Sequence, residues 1–445
     1  MHTWYEQAVF YHIYPLGLLG AEKTNTLTEP AHRLKELESW IPHIRALNGS
    51  AIYIGPLFES STHGYDTRDF RLIDRRLGTN EEFAHFVQLC HENGIRVVVD
   101  GVFNHTGREF FAFQDIREKR EASPYKDWYR GVNFGWGSPL GDPFGYEAWQ
   151  GHFELPCLNL WNPDVRQYLF DSIQFWIDNF DIDGIRLDCA NVLDFGFMKE
   201  LREKTSAMKS DFWLMGEVIH GEYSRWVNPE MLHSVTNYEL HKALYSGHND
   251  HNYFEIAHNV RRLEAVGKSL YTFVDNHDED RIASKLNNLA NLFPVYQLLF
   301  TLPGIPSIYY GSEWGIEGKR SRTSDEVLRP ALTLSEMNGK APELLAHITS
   351  LAKIHAEHDA FHSGSYKELL LTNRQYAFSR SGEHGTVISA VNNDEQPASI
   401  SIPLPCAAKD AVSLLPGEIP FSLENGRLSV TLPANGGAIF KLQEV

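Results

Sequence analysis

The sequence has few cysteines and no long apolar run, and each of these absences excludes a class of protein. Its four cysteines lie far apart without Cys-x-x-Cys spacing, which excludes a zinc ribbon or a disulfide framework and favours reduced thiols. They are Cys90, Cys157, Cys189 and Cys406. Because no stretch of 18 apolar residues occurs, we expect no membrane-spanning helix. The first fifteen residues lack the features of a secretion signal, so we expect a cytoplasmic protein.

Basic residues are also scarce relative to acidic ones. The formal net charge is −18 at pH 7, so nucleic acids and anionic membranes are not expected as partners, whereas a neutral ligand is compatible with it. Aromatic residues make up 12% of the chain, which suits stacking on sugar rings, although large cores also use aromatics.

Eight strand-like segments alternate with helical ones through residue 310. The predicted strands cover residues 9–14, 51–54, 95–99, 182–187, 212–219, 234–240, 270–274 and 305–310. Predicted helices include residues 31–47, with a kink at Pro42, and residues 253–266 and 284–302. Eight strand-then-helix units predict a parallel sheet closed into a (β/α)8 TIM barrel. The alternative, an open doubly wound sheet, would carry a glycine-rich phosphate turn after an early strand, and none is present.

Two segments depart from this alternation. Residues 106–155 are rich in aromatics, Gly and Pro, and so long a structureless loop is implausible, so they predict a small inserted subdomain after the third strand. Beyond about residue 351, short alternating runs and turns such as Asn425-Gly426 predict an antiparallel β-sandwich with a stabilising or docking role. We therefore expect a catalytic barrel in residues 1–105 and 156–355, the insert in 106–155, and the β-sandwich domain in 356–445.

Polar side chains follow several predicted strands where each strand ends. Arg186 and Asp188 share one face of the fourth strand, which costs free energy in a core unless that face opens on solvent or a ligand. A structural ion pair is the alternative interpretation. Because the carboxyl ends of barrel strands form one face, the other strand-end side chains should gather there. They are His63, Tyr65 and Asp66 after the second strand, Asp100, Asn104 and His105 after the third, Glu217 after the fifth, and Asn276, His277 and Asp278 after the seventh.

Three carboxylates from different strands, those of Asp188, Glu217 and Asp278, would converge on one pocket. Like charges repel, so one carboxyl should hold a proton at neutral pH, while Arg186 keeps Asp188 ionised. An ionised carboxylate facing a protonated one is suited to glycoside hydrolysis, with retention if the two lie about 5–5.5 Å apart. A divalent metal site built from the same acids and the two nearby histidines is the competing interpretation.

Four segments resemble, in order, the four sequence signatures of the α-amylase family: DGVFNH (100–105), GIRLDCANV (184–192), GEV (216–218) and FVDNHD (273–278). Secondary signatures are matched by IGPLFES (54–60), HGYDTRDF (63–70), LPCLN (155–159) and GIPSIYYGSEWG (304–315). The resemblance covers the barrel and the insert, and the β domain lies where that family has one. It implies an enzyme that needs no cofactor and acts on oligosaccharides.

The resemblance also implies roles for individual residues. Asp188 resembles the family nucleophile, Glu217 the general acid/base, and Asp278 the third carboxylate, which binds sugar hydroxyls and favours ring distortion. Residues implied to bind substrate are His63, Tyr65, Asp100, His105, Arg186, His277, Asp325 and Arg329.

For two of these sites, the resemblance implies a particular contact with a sugar unit. Tyr65 resembles the stacking platform of the sugar at the cleavage point. Asp325 and Arg329 resemble a pair that grips a sugar further toward the non-reducing end, with an exposed helical ion pair as the alternative. No metal ligand set is predicted. The family often holds a structural calcium through the counterpart of Asn104, although an asparagine there can equally bond loop backbone.

Within the family, LPCLN and LDCANV are most similar to the neopullulanase, cyclomaltodextrinase and maltogenic amylase branch, whose patterns are MPKLN and VANE. Cys157 stands where that branch has Lys, Val192 where it has Glu, and Ile219 where it has Trp. These departures bear on cyclodextrin preference and α-1,6 cleavage, because they lie just beyond the cleavage point. That branch usually has an additional N-terminal β domain, whereas this chain starts in the first strand, so dimer modes that rely on that domain are not assumed. A monomer and a homodimer are both compatible with the sequence.

The expected activity is retaining hydrolysis of α-1,4-glucosidic bonds, with α-1,6 bonds as an option, in short linear or cyclic maltooligosaccharides through a covalent glycosyl-aspartate. A 4-α-glucanotransferase with the same site is the alternative, since only water entry separates the two outcomes. A non-catalytic relative would be expected to lose a carboxylate and to gain a membrane segment, and the sequence shows neither.

Overall fold

The eight predicted barrel strands form one parallel sheet in the computed structural model, which describes residues 3–417 and 419–445. In chain order they are Phe10–Ile13, Ala51–Ile54, Arg96–Gly101, Gly184–Leu187, Trp213–Gly216, Ser234–Val235, Tyr271–Thr272 and Ile305–Tyr309. Their spatial order is 6-5-4-3-2-1-8-7. Thr236 bridges Tyr271, and the amide of Asn237 donates to the Tyr271 carbonyl at 2.8 Å, which closes the sheet between the sixth and seventh strands. The predicted TIM barrel is confirmed.

The strands are buried on both faces, as expected for a parallel sheet covered by helices. Side chains at alternate positions fill the barrel interior, where Phe10 stacks on Trp213 with ring centroids 5.0 Å apart. The intervening side chains, such as Ile185 and Leu187, belong to the larger apolar core between the sheet and its helices. The interior is therefore apolar at the amino ends of the strands and receives its polar groups at their carboxyl ends.

The α-helices connect the strands and cover the sheet. Through the barrel they are Pro15–Leu18, Leu34–Leu37, Trp40–Ala46, Asn80–Glu92, Phe111–Lys119, Pro163–Phe180, Phe195–Met208, Tyr238–Asn249, Tyr253–Arg262, Ile282–Lys285, Leu292–Thr301, Leu334–Met337 and Pro342–Glu357. Pro42 does not kink a single helix as predicted. It lies in the first turn of Trp40–Ala46, where its missing N–H would have had no helical partner. In the described residues no helix is both long and apolar enough to cross a membrane.

Two predicted elements differ from the structure, and one helix was not predicted. The sixth strand was predicted to reach residue 240, but it ends at Val235, and Tyr238 begins a helix capped by the Asn237 side chain, which accepts from the Leu240 amide at 2.9 Å. The predicted helix 284–302 is interrupted after Lys285 and resumes at Leu292. Helix Pro342–Glu357 occupies a region for which no helix was predicted.

The predicted insert is an ordered segment with its own apolar cluster. It contains helix Phe111–Lys119 and a two-stranded hairpin, Ala148–Trp149 with His152–Pro156. Phe113 packs on Tyr146 with ring centroids 5.0 Å apart, and the buried Asp142 pairs with the Arg108 guanidinium at 2.6 Å. The segment can therefore form a wall above the barrel. Its domain boundaries stay a prediction.

Two antiparallel sheets follow the barrel and share one core, as predicted for the C-terminal part of the chain. One sheet orders Ser365–Leu371, Gln375–Gly382, Gly385–Asn392, Gly436–Glu444 and Ala408–Ser413, and the other Ala398–Pro403, Arg427–Leu432 and Phe421–Glu424. Asn425 and Gly426 both have positive φ, 51° and 71°, which confirms the predicted hairpin turn. The sandwich docks on the barrel through the buried Gln297, whose Nε2 donates to Ser389 Oγ at 3.0 Å and to the carbonyls of Ala390 and Ala438 at 3.1 Å.

Candidate active site

The strand register places the charged groups at one end of the barrel interior. Asp100 follows the inward-facing Val98 by two residues, and Glu217 follows the inward-facing Met215 in the same way. Arg186 pairs with Asp100 and with Met215 in the parallel ladders on either side of the fourth strand. The alternation of the strands thus turns these side chains into the mouth of the barrel.

Arg186 lies at the centre of the site and is 3% exposed. Its Nη1 donates to Asp100 Oδ1 at 2.8 Å and to Asp188 Oδ1 at 2.9 Å, and its Nη2 lies 2.9 Å from Glu217 Oε1. One guanidinium therefore binds three carboxyl groups from three strands. This arrangement goes beyond the two-residue structural ion pair considered from the sequence.

Glu217 and Asp188 occupy different environments. Carboxylate oxygens of the two residues lie within 4.8 Å of each other. Burial, together with the negative charges of Asp188 and Asp278, raises the pKa of Glu217 to about 7 against the opposing charge of Arg186. The amide of Cys189 donates to Glu217 Oε2 at 3.1 Å. Glu217 therefore keeps a substantial share of its protonated form near neutral pH.

Asp278 is held in its charged form by two neighbours. Burial opposes the charge, but His277 Nε2 lies 3.0 Å from Asp278 Oδ2 and Arg329 Nη2 donates to Oδ1 at 2.8 Å, and together they lower the pKa of Asp278. Arg329 also binds Asp325 Oδ2 at 2.7 Å and lies 4.5 Å from the Tyr14 ring centroid. The predicted Asp325–Arg329 pair therefore exists. The alternative of an exposed pair does not hold for Arg329, whose side chain is 11% exposed.

A hydrogen-bonded chain links Asp278 to the arginine centre. The Tyr65 hydroxyl lies 2.5 Å from His277 Nε2 and donates to Asp100 Oδ2 at 3.2 Å. The Tyr65 ring stacks on that of His277, with centroids 5.8 Å apart, and Tyr14 stacks on His277 at 5.7 Å. Tyr65, Asp100 and His277 are therefore brought together with the three carboxylates.

His105 and His63 differ in their surroundings. His105 is buried beside Asn104, whose Nδ2 lies 3.1 Å from its Nδ1, and burial lowers its pKa to about 4. In the described part of the chain, no protein group bonds His105 Nε2. The ring of Trp149 lies nearly parallel to it at 6.2 Å. The His63 side chain is 39% exposed, and its Nδ1 accepts from the Tyr65 amide at 3.2 Å.

Sequence reasoning missed several residues that hold the site together. Tyr53 donates from its hydroxyl to Asp100 Oδ2 at 2.9 Å, and the Tyr238 hydroxyl lies 3.4 Å from Glu217 Oε1. Tyr53 could have been found as the next-to-last residue of the second strand. Tyr238 was hidden by the assignment of its segment to a strand. The amide contact of Cys189 depends on a positive φ of 50°, for which the residue type gives no signal.

The residues at the site do not favour a metal ion. Asp188, Cys189 and Glu217 have potential ligand atoms within 4.8 Å of one another, the sole such group found in residues 3–417 and 419–445. Arg186 donates to two of these carboxyls, so its positive charge occupies the place that a cation would take. Asn104, which the resemblance associates with a structural calcium, has its Nδ2 3.1 Å from His105 Nδ1 and 4.0 Å from the Cys157 sulfur, and the calcium stays a prediction.

The three positions that depart from the family branch lie in different places. Val192 and Ile219 are exposed, 43% and 42%, beyond Asp188 and Glu217 in the chain. Cys157 is buried and forms a backbone bridge with His105, so its side chain does not line an open surface. Two of the three departures therefore place apolar groups on the surface near the site.

The fold is that of TIM-barrel enzymes with a C-terminal β-sandwich, and similarity to known proteins identifies the family. The family model described as "Alpha amylase, catalytic domain" matches residues 29–349, so the chain belongs to the α-amylase family of glycoside hydrolases. A cyclomaltodextrinase of Geobacillus thermopakistaniensis is 30% identical over 471 residues, covering 99% of this chain and 78% of the relative.

Two solved structures resemble the chain over nearly its full length. The debranching enzyme of Nostoc punctiforme has a TM-score of 0.85 at 26% identity and covers 98% of both chains. The cyclic α-maltosyl-(1→6)-maltose hydrolase of Arthrobacter globiformis has a TM-score of 0.83 at 25% identity, covering 99% of this chain and 100% of the other. The fold is therefore shared with these two enzymes over nearly the whole chain.

Proposed function

We propose that this enzyme is a retaining α-glucan hydrolase that cleaves α-1,4-glucosidic bonds in short maltooligosaccharides through a covalent glycosyl-aspartate. The observation that carries the proposal is the pairing of two unlike carboxyls. Asp188, bonded to Arg186, lies within 4.8 Å of Glu217, whose pKa is raised to about 7. A separation of that size is closer to the roughly 5–5.5 Å of retaining enzymes than to the roughly 6.5–9.5 Å of inverting ones, which supports retention.

In the first step, the Asp188 carboxylate attacks the anomeric carbon while Glu217 gives its proton to the departing glycosidic oxygen. The bond to the leaving sugar breaks as the bond to Asp188 forms. In the second step Glu217, now charged, takes a proton from water, which displaces Asp188 and restores both groups. Every proton is thus exchanged between Glu217, substrate and water, so no cofactor is required.

The surrounding groups suit a neutral, hydroxyl-rich substrate. His105 Nε2 is buried without a protein partner, and a sugar hydroxyl would satisfy it. The ring of Tyr65 is fixed by its bonds to His277 and Asp100, so it can act as a rigid stacking surface. Asp278 would accept hydrogen bonds from the same sugar, and Asp325 with Arg329 would contact the next unit on its non-reducing side.

The linkage and shape of the substrate are drawn from the relatives. Their names describe hydrolysis of cyclic maltodextrins, debranching, and hydrolysis of a cyclic α-1,6-containing tetrasaccharide. We therefore include α-1,6 bonds and cyclic substrates in the range to be tested. Glucanotransferase activity is the second candidate. It is favoured by the exposed Val192 and Ile219, which offer an apolar surface to an acceptor sugar in place of polar groups that would hold water.

The test is a time course of products from maltotetraose, γ-cyclodextrin, panose and pullulan, with the anomeric form of each new reducing end followed by proton NMR. The proposal expects shorter products that appear first as α-anomers. Initial β-anomers would contradict retention. Products longer than the substrate would make transfer the main activity, and no conversion of any of the four would contradict the proposed function as a whole.

A further inference from the structure

A groove extends outward from the candidate active site between the insert and the loop after the fourth strand. Its lining includes Asn104, next to His105, together with Val192, Trp161, Arg130 and Glu147. From the sequence, Asn104 and Val192 were expected near the site, and the other three residues were not. The groove is therefore continuous with the site but is not part of the carboxylate centre.

The position of the groove relative to the carboxylates identifies which part of a substrate it faces. The amide of Cys189 bonds Glu217, and the turn Ala190–Val192 continues from that residue into the groove wall. Asp278 and Arg329 lie with the seventh and eighth strands, in another part of the barrel rim. Because the general acid protonates the leaving group, the groove that this turn connects to Glu217 is assigned to the sugars that depart.

Among the described residues, Trp161 is the most exposed tryptophan, with 79% of its surface accessible to solvent. Its indole is nevertheless fixed, because Nε1 donates to Asp194 Oδ2 at 3.1 Å. Asp194 is itself held, since its Oδ1 accepts from Arg166 Nη2 at 2.7 Å and from the Phe197 amide at 2.8 Å. A large flat ring that such a network already holds in the solvent loses little conformational entropy when a ligand binds. This is the property of a binding platform.

The lining of the groove also supplies polar groups. Arg130 Nε lies 3.0 Å from Glu147 Oε2, and the two side chains are 46% and 56% exposed, so both can also bond hydroxyl groups. An aromatic face and a charged pair in one groove match a sugar ring, which has apolar faces and a hydroxylated edge. A peptide or an anionic ligand would not need both features.

We propose that Trp161 is the stacking platform for a glucosyl unit on the leaving-group side of the cleaved bond, with Arg130 and Glu147 bonding its hydroxyls. The inference rests on the proposed function and deepens it. It assigns substrate selection beyond the cleavage point to the insert and to a residue outside the family signatures. Longer leaving groups, and acceptor sugars in transfer, would depend on this platform.

The experiment compares two substrates that share the donor part. Maltopentaose places sugars in the groove, whereas α-maltosyl fluoride has only fluoride as leaving group. Trp161→Ala is expected to lower the ratio of kcat/KM for maltopentaose to kcat/KM for the fluoride by about ten-fold, and Trp161→Phe to restore most of it. The matched control is Trp136→Ala, since Trp136 is a second exposed tryptophan (65%) that does not line the groove.

The outcomes are distinguishable. An unchanged ratio in Trp161→Ala, with the fluoride still hydrolysed, overturns the platform and leaves the proposed function intact. An equal fall of this ratio in Trp136→Ala also overturns the assignment of Trp161, because the effect would then not be specific to the groove. If the unaltered enzyme releases no fluoride, the proposed function itself fails. As a second measurement, the yield of transfer products with added maltose should fall in Trp161→Ala and not in Trp136→Ala.

Discussion

Arg329 donates from Nη2 to Asp278 Oδ1 at 2.8 Å, although the two residues are 51 positions apart in the chain. This contact and the adjacent His277 keep Asp278 charged at the rim of the barrel. It connects the segment after the eighth strand to the carboxylate at the end of the seventh. The first prediction follows from it.

Replacing Arg329 by Met removes the positive charge beside Asp278. The pKa of Asp278 should then rise, because the charged carboxylate loses a favourable partner, and the acidic limb of the pH profile of kcat/KM should move to higher pH. The measurement is kcat/KM on maltotetraose between pH 3 and 9. Arg374→Met, at a half-exposed arginine of the β-sandwich, is the control and should leave the limb in place. The same acidic limb in both variants would show that Arg329 does not set the charge of Asp278.

Asp188→Asn should reduce turnover of maltotetraose by at least about a thousand-fold, because the amide cannot form the glycosyl-aspartate. The fold should survive, since Arg186 keeps its bonds to Asp100 and Glu217. Turnover is measured by chromatography, binding of maltohexaose by calorimetry and stability by thermal unfolding. We expect binding to persist and the unfolding midpoint to move by less than about 4 °C. Substantial residual turnover would remove Asp188 from the role of nucleophile.

The pH profile should show a basic limb set by Glu217. The protonated carboxyl is the acid, and its population falls as the pH rises through its pKa of about 7, so kcat/KM for maltotetraose should drop about ten-fold per pH unit above that value. The control is a second substrate whose leaving group needs no proton. Fluoride leaves without a proton, so the limb should be weak or absent in kcat/KM for α-maltosyl fluoride. An equally steep limb for both substrates would argue against Glu217 as the acid.

Gln297→Leu should destabilise the protein by about 2–4 kcal/mol. The leucine fills a similar space, but the carbonyls of Ala390 and Ala438 and the Ser389 hydroxyl lose a buried donor between barrel and sandwich. The free energy of unfolding is measured in urea. Gln167→Leu, at an exposed position on helix Pro163–Phe180, is the control and should change it by no more than about 0.5 kcal/mol. A similar small change in Gln297→Leu would show that this contact does not hold the two parts together.

The barrel and its charged rim could be predicted from the sequence because both follow from local patterns. Apolar runs that end in Asp, Arg or Glu mark strands whose ends open on a site, and alternation then determines which side chains turn inward, as with Val98 and Asp100. The sixth strand was misjudged because its ladder is two residues long and the cap at Asn237 begins a helix at once.

Other features had no local signal. Arg329 reaches Asp278 only because the segment after the eighth strand folds back over the rim, and the exposed Trp161 is fixed by an aspartate 33 positions away. Such contacts depend on how separate segments pack, which neither periodicity nor spacing contains. The raised pKa of Glu217 could be predicted only in part. The sequence predicts that one of three converging carboxyls will hold a proton, but burial in the folded chain decides which one.

The sharing of Arg186 among several acids has an electrostatic consequence for inhibitors. Besides Glu217, the rim holds four aspartates, Asp100, Asp188, Asp278 and Asp325, against two arginines, Arg186 and Arg329, so acidic side chains outnumber guanidinium groups by two. This surplus favours ligands with a positively charged nitrogen near the anomeric position. It disfavours glucans that bear phosphate or carboxylate substituents near the bond to be cleaved. The polarity of the rim therefore selects among sugar derivatives of the same size and shape.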